Sequence, residues 1–256
     1  NRPDTGLVIN RICMKLTVIG SGSKGNCYIL RDSDEALIIE CGVQFDEVKK
    51  AMNYDLKTLC GILVTHEHKD HCKGVPDALT AGQEVFATKG TIDGLGIKSH
   101  RLNVITINVP FYVGNFKVIP FKVMHDAKEP CGFFIKHSEC GNLLFITDTY
   151  YVPNRFANIN NILIEANYCD MIIDEKLRIS NKFVRDRVIQ SHMSIKTCKV
   201  FLKSNDLTNV NNIVLIHLSD TNSDAKRFIN EVEQQTGKNV FVAEKGMIID
   251  INLTPF

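Results

Sequence analysis

From Met14 onward the chain alternates short apolar runs with stretches whose apolar residues recur every three or four positions. The runs fall near 15–19, 26–30, 36–40, 61–65, 116–124, 131–136, 142–147, 161–166, 211–216, 239–242 and 247–251, and their length and composition predict strands. So many strands imply two sheets. Residues 45–52, 181–189, 194–203 and 224–235 predict helices, the last of them with Ala225, Phe228, Ile229 and Val232 on one face. Sheets flanked by helices predict a layered α/β sandwich with the sheets inside. Residues 1–13 precede this pattern and are read as a cloning remnant or an upstream extension. Met14 is then the natural start, and 14–256 a single domain, a size that one packed core can support.

Composition narrows the setting. Lys plus Arg number 30 against 29 Asp plus Glu, so no global charge steers the chain toward nucleic acid or membrane, and any basic contact surface must be local. Nine cysteines with no C-x-x-C pair suit a reducing compartment. Cys27, Cys60 and Cys198, within apolar stretches, are expected as small core residues. No apolar stretch reaches the length of a membrane span and no signal-peptide core opens the chain. The expectation is a cytoplasmic protein without a membrane partner, as monomer or homodimer.

Chemistry concentrates in residues 65–71, Thr-His-Glu-His-Lys-Asp-His. Three imidazoles and a carboxylate this close repel or waste one another unless a cation sits among them, and a pair of metal ions is the natural occupant. Following the apolar run Gly61-Ile62-Leu63-Val64, an extended chain would project His66, His68 and Asp70 to one side, with His71 turning in from the loop. The helical zinc-protease pattern H-E-x-x-H does not apply, because the residue four after His66 is Asp70. Other candidates also stand just past apolar runs: His125 after 118–124, Asp148 after 143–147 and His217 after 213–216. Four strand ends are therefore expected to converge on one edge of the sandwich.

The pattern His66-x-His68-x-Asp70-His71, followed by His125, Asp148 and His217, resembles the metallo-β-lactamase superfamily across about 14–253. Within it the chain is similar to the WalJ/YycJ group, through Ser21-Gly22-Ser23-Lys24-Gly25-Asn26, His125-Asp126-Ala127-Lys128-Glu129-Pro130, Thr147-Asp148-Thr149, Glu165-Ala166-Asn167, Ser191-His192-Met193-Ser194 and His217-Leu218-Ser219. The resemblance implies a four-layer αββα sandwich with the metal site at one edge. It also implies that His66, His68 and His125 hold one metal, Asp70, His71 and His217 a second, and that Asp148 bridges them. Imidazole and carboxylate ligands suit Zn²⁺ and also tolerate Mn²⁺ or Fe. The chain departs from the family at Glu40-Cys41-Gly42, where Asp more usually precedes the Gly, and at Ser191-His192, where Gly-His is more common. A longer carboxylate at Glu40 alters the support of the His ligands.

Two metals can lower the pKa of a shared water toward about 7 and clamp both oxygens of an in-line displacement, which suits phosphodiesters. His125 stands in Val123-Met124-His125-Asp126 rather than the Thr-Pro-Gly-His context of glyoxalase-type thioesterases. Between Asp148 and His217 there is no room for the large inserted domain of the β-CASP nucleases, nor a His-Glu-Ala-Thr segment of the ribonuclease Z kind. Asp70 and His192 are the catalytic candidates, His192 because it precedes a helix start, where a phosphate can be held or a leaving oxygen protonated. Ser21, Ser23, Asn26, Asn167 and Ser219 are candidate substrate contacts, the first three in a Gly-rich loop whose amides could cradle an anion. A local basic stretch, Lys176, Arg178, Lys182, Arg185 and Arg187, could track a nucleic-acid backbone, although Asp174, Glu175 and Asp186 dilute it. The expected activity is a dinuclear phosphodiesterase acting on nucleic acid, with DNA exonuclease character. Hydrolysis of small phosphodiesters such as cyclic nucleotides is the alternative, and a non-catalytic metal-binding interaction module is a third reading.

Overall fold

The computed structural model describes residues 14–177 and 182–254; the leading segment 1–13, Arg178 and the expected helix start at Asn181 lie outside the described residues. One sheet is formed by β1 (Lys15–Gly20), β2 (Cys27–Arg31), β3 (Ala36–Ile39), β4 (Leu59–Leu63), β5 (Val85–Thr88) and β6 (Leu102–Ile105). The other is formed by β7 (Phe111–Val113), β8 (Phe116–Lys122), β9 (Cys131–His137), β10 (Gly141–Ile146), β11 (Asn161–Glu165), β12 (Asn212–Ile216) and β13 (Asn239–Val242), after which β14 (Ile248–Asp250) returns to pair with β1. Strand order is β14-β1-β2-β3-β4-β5-β6 in the first sheet and β13-β12-β11-β10-β9-β8-β7 in the second. Each sheet is antiparallel at one end and parallel at the other: β3 through β6 in the first and β10 through β13 in the second run parallel. All eleven strands expected from the apolar runs are present; β5, β6 and β7 are additional.

The helices are α1 (Phe45–Ala51), α2 (Lys69–Cys72), α3 (Val75–Thr80), α4 (Lys89–Leu95), α5 (Asp170–Leu177), α6 (Lys182–Ser191), α7 (Ile195–Lys203) and α8 (Ala225–Thr236). Ser194 and Asp224 set the starts of α7 and α8, their side chains accepting from the Thr197 and Arg227 amides. Strand residues alternate between two buried faces, which is why the strands read as nearly unbroken apolar runs. In β10, Leu143 and Phe145 enter the core between the sheets, where Tyr28, Leu37 and Leu63 meet them. Leu144 and Ile146 turn the other way, toward Cys198 and Leu202 of α7 and Phe228 and Val232 of α8. On the outer face of the first sheet, Ile38 and Ile62 pack with Val48 of α1 and with Val75 and Ala78 of α3. Three apolar layers thus separate four structural ones, and the architecture is the αββα sandwich. Among the described residues no helix is long and apolar enough to cross a membrane.

Polar ties also join the sheets. Glu35, in the turn from β2 to β3, accepts from His137 Nε2 of β9 at 2.9 Å and from the Asn115 amide at 2.9 Å. The His137 ring stacks on Phe116 with centroids 4.5 Å apart. A second close approach lies beyond β3, where a Cβ on Gly42 would fall 1.7 Å from the Asp70 carbonyl oxygen. Only glycine lets the turn after β3 lie against α2.

Two outcomes are expected. Gly42→Ala should force α2 away and destabilise by about 1–3 kcal/mol, read as a lower urea midpoint with unchanged slope. Burial pushes the Glu35 carboxyl up, but the Asn115 amide and His137 more than offset this and hold it below its ordinary value. Its stabilising contribution is therefore complete above the unfolded-state pKa of roughly 4.3 and is lost as pH falls through the lower folded value. Glu35→Gln should flatten the decline of the urea midpoint over that acid range; the same decline in both proteins would show that Glu35 carries no such tie.

Candidate metal centre

The ends of β4, β8, β10 and β12 meet at one edge of the sandwich and deliver His66 and His68, His125, Asp148 and His217. The heptapeptide is not extended through Asp70. It breaks after His68 into the single turn of α2, closed by the His71 and Cys72 amides donating to the His68 carbonyl at 2.9 and 3.1 Å. The helical turn has a physical reason: adjacent residues on an extended chain point to opposite sides, whereas a tight turn lets both Asp70 and His71 reach the same cluster. Cys72 stays out of it, its thiol donating to the Glu67 carbonyl at 3.1 Å.

The seven expected ligands form two groups that share Asp148, and a third group of Asp148, Glu165, His192 and His217 overlaps the second. Ligand atoms of His66, His68, His125 and Asp148 lie within 4.8 Å of one another, and so do those of Asp70, His71, His217 and Asp148. Asp148 Oδ2 is 3.3 Å from His71 Nε2, 3.6 Å from His125 Nε2 and 3.7 Å from His66 Nε2. Asp148 Oδ1 is 3.0 Å from His217 Nδ1. Asp70 Oδ2 lies 3.4 Å from His71 Nε2 and 3.5 Å from His217 Nε2. Glu40, Asp148 and His217 all adopt left-handed backbone, with φ of 67°, 45° and 55°, at about 1–3 kcal/mol each. Each residue stands just past a strand end, where the chain turns sharply enough to aim a side chain back over the sheet edge.

Outer partners fix the rings. His125 Nδ1 donates to the Ser191 carbonyl at 2.9 Å, which leaves Nε2 as the inward atom, 3.1 Å from His68 Nδ1. His66 Nδ1 pairs with Thr65 Oγ1 at 2.9 Å. His71 Nδ1 faces the buried Glu40 carboxylate at 3.4 Å. Fully buried Glu165 meets His192 Nδ1 at 2.7 Å and His217 Nδ1 at 3.1 Å, and accepts from the Thr149 and Met193 amides. Glu165 is not among the sequence candidates. Its signal was a carboxylate closing the otherwise apolar run Asn161-Ile162-Leu163-Ile164-Glu165, because such a strand can bury an acid only if donors wait for it.

Electrostatics follow from this crowding. Burial alone would raise the Asp148 carboxyl, but the His217 and His71 imidazoles and their hydrogen bonds hold it well below the usual carboxylate range. Burial and then neighbouring His71 push His66 well down, and burial lowers His125. Burial would also lower His71, yet the Asp148 and Glu40 carboxylates carry it well above its ordinary value. His192 is raised because the Glu165 carboxylate more than offsets burial, while burial dominates at Glu40 and raises it. A test of fit for cations is internal to the site: His66 Nε2 and His217 Nε2 are buried, turned to the cluster and without a hydrogen-bond partner. Buried unpaired nitrogens are costly, and a divalent ion in each group would answer one of them. The donor set, imidazole and carboxylate without thiolate, fits zinc, manganese or iron.

Beside the cluster opens a cavity of about 350 Å³ whose lining includes Ser23, Asp126, Asn167, Arg187, His192 and Ser219. Two expected substrate contacts are absent from it. Ser21 instead accepts from Tyr28 Oη at 2.8 Å and from the His217 amide at 3.0 Å. Asn26 is buried, accepting from the Gly22 amide and donating to the Asp70 carbonyl at 3.2 Å. Both brace the ligand loops through these bonds, while Ser23 of the same turn is exposed and lines the cavity. Asn167 lines the cavity while donating to the His217 carbonyl at 2.8 Å. Of the basic stretch, Arg187 borders the cavity and Arg185 is tied to Asp174 at 2.7 Å; Arg178 and the side chains of Lys176 and Lys182 lie outside those described.

Comparison with known proteins accords with this geometry. Residues 37–218 match the family model described as a beta-lactamase superfamily domain. Exodeoxyribonuclease WalJ of Streptococcus pneumoniae is 28% identical over 176 residues, 62% of this chain and 65% of that protein. Exodeoxyribonuclease YycJ of Bacillus anthracis is 29% identical over 168 residues, 60% of this chain and 63% of that one, so the matched segment spans under two thirds of these relatives. The metallo-beta-lactamase fold protein YhfI of Bacillus subtilis superposes with a TM-score of 0.71 at 16% identity, over 93% of this chain and 99% of that one. With the four-layer sandwich, the clustered His and Asp side chains and a family match across most of its length, the chain belongs to the metallo-β-lactamase superfamily and has the make-up of a metal-dependent hydrolase.

Proposed function

We propose that the protein is a dinuclear metal-dependent phosphodiesterase that cleaves nucleic acid, with DNA exonuclease character. The observation that carries this reading is the sharing of Asp148 between two ligand groups. Its two oxygens lie within 3.0–3.7 Å of rings from both groups, His66 and His125 of the first and His71 and His217 of the second, so this one carboxylate would serve both cations. Relatives named exodeoxyribonucleases support a nucleic-acid substrate. His66, His68 and His125 would hold one divalent ion, zinc by ligand preference with manganese or iron tolerated, and Asp70, His71 and His217 the other. When bound, the pair supplies Lewis acidity toward a phosphoryl group and acidifies water.

The remaining steps belong to side chains. Asp70, whose Oδ2 lies beside His71 and His217, would orient the attacking water while it helps hold the second ion. Glu165 fixes His192 through Nδ1, leaving Nε2 to donate to a phosphoryl oxygen and to protonate the leaving oxygen. Ser23, Asn167 and Ser219 line the approach. Hydrolysis of a small phosphodiester such as a cyclic nucleotide is a second reading, favoured by a cavity of about 350 Å³, at the small end of ligand sites. A metal-binding module without catalysis fits less well, because a binding role alone does not call for a His192–Glu165 pair beside the cluster.

The test is metal analysis followed by a substrate panel of end-labelled DNA, cyclic mononucleotides and bis(p-nitrophenyl) phosphate. Wild type should retain two ions per chain, and His68→Ala and Asp148→Ala should lose metal together with nearly all turnover. Chelation should lower the melting temperature of wild type and leave Asp148→Ala nearly unmoved. Turnover of cyclic nucleotides alone would overturn the nuclease reading. His192→Ala should cut kcat by about 10²–10⁴ with metal content unchanged; loss of an ion in that variant would make His192 a ligand instead. Glu165→Gln should reduce metal affinity or activity by about 10–100-fold.

A further inference from the structure

We propose that a groove leading away from the cluster binds the unpaired end of a nucleic-acid strand, with Tyr150 as a stacking platform and Lys122, Lys128 and Arg187 meeting its phosphates. This rests on the phosphodiesterase reading and names its substrate more closely. The groove is open to solvent, offers about 1100 Å³ and begins at His125 and Asp126, which it shares with the smaller cavity. It therefore continues the reaction site along one direction. Lys122 and Lys128 stand exposed on it, at the end of β8 and in the loop after His125, and neither has an ion pair among the described residues. Arg187 joins the two spaces, held only loosely by Asp126 at 3.5 Å. Asp126 and Asp186 are the acids of the groove, and Asp186 is engaged by Arg185 at 3.3 Å.

Tyr150 is 45% exposed, and its neighbour Tyr151 52%. A large aromatic left in water two residues from Asp148 asks for a partner, and its backbone is held in place. The Tyr150 amide donates to the Met124 carbonyl at 3.3 Å, and Thr149 Oγ1 accepts from the Met124 amide at 2.9 Å and donates to the Tyr151 carbonyl at 2.8 Å. The platform is thus pinned to the same two segments that present His125 and Asp148, so a base stacked there has a fixed offset from the reacting phosphodiester. Base faces are accessible to an aromatic side chain only outside a duplex. Exposed lysines beside an aromatic ring match a single strand, in which phosphates and bare base faces alternate.

The test measures anisotropy of a labelled phosphorothioate oligothymidylate, which resists cleavage, on metal-loaded protein. Tyr150→Ala should weaken binding roughly 5- to 100-fold, while Tyr150→Phe keeps the ring and most of the affinity. Lys122→Ala with Lys128→Ala should lower the slope of log K against log salt by about 1.4, at about 0.7 for each single-strand phosphate contact. Lys57→Ala, before β4 at the opposite end of the strand from His66, should change neither. Wild-type hydrolysis of bis(p-nitrophenyl) phosphate, measured alongside, separates the two levels. If it occurs and oligonucleotide binding ignores the Tyr150 and lysine changes, the groove assignment fails alone; if wild type neither hydrolyses that ester nor binds the oligonucleotide, both fail. Equal sensitivity to Tyr150→Ala in a blunt duplex would overturn the single-strand assignment.

Discussion

Burying the Asp148 carboxylate among four imidazoles is the constraint on which the rest of this structure depends. It is 3% exposed, and an ionised carboxylate removed from water costs several kcal/mol unless positive charge and aligned donors surround it. His71 and His217 supply that charge, with His66 and His125 closing the shell, from three different connections. Each ring in turn needs an outer partner to hold its orientation, which brings in Thr65, Glu40, the Ser191 carbonyl and Glu165. The sandwich exists, in this sense, to bring the ends of β4, β8, β10 and β12 to one edge and hold them there.

Much of that was legible from residue order. Apolar runs give away strands that are buried on both faces, and the seven His and Asp candidates stand where such runs stop. What stayed hidden has physical reasons. β5, β6 and β7 lie at or next to sheet edges, and β6 and β7 each leave a residue exposed, Val104 and Tyr112, with Asn103 breaking the apolar run of β6. The turn of α2 was invisible because four residues carry no periodicity. Ser21 and Asn26 are polar residues in a Gly-rich loop, a composition common to ligand cradles and to structural wedges; only burial separates the two. Glu165 was hidden for the opposite reason, as an acid inside an apolar strand whose donors come from segments far along the chain.

The site also carries costs that the apolar layers must offset. Left-handed backbone at Glu40, Asp148 and His217, and three buried imidazole nitrogens without a hydrogen-bond partner, are local features that an inert protein would shed. Three hydrophobic layers surround the edge where they occur, so a region of strain sits on a rigid support. Rigidity there is useful, because side chains that must converge within tenths of an ångström cannot be left on mobile loops.

The mirrored layout of the two sheets bears on how the protein comes into being. One half of the polypeptide contributes His66 through His71 and the other His125, Asp148 and His217, so neither half owns a complete centre. During synthesis the second ligand group must wait for His217, the last of the seven to leave the ribosome. A nascent chain consequently lacks the full His and Asp cluster, which is complete only when the two halves close on each other.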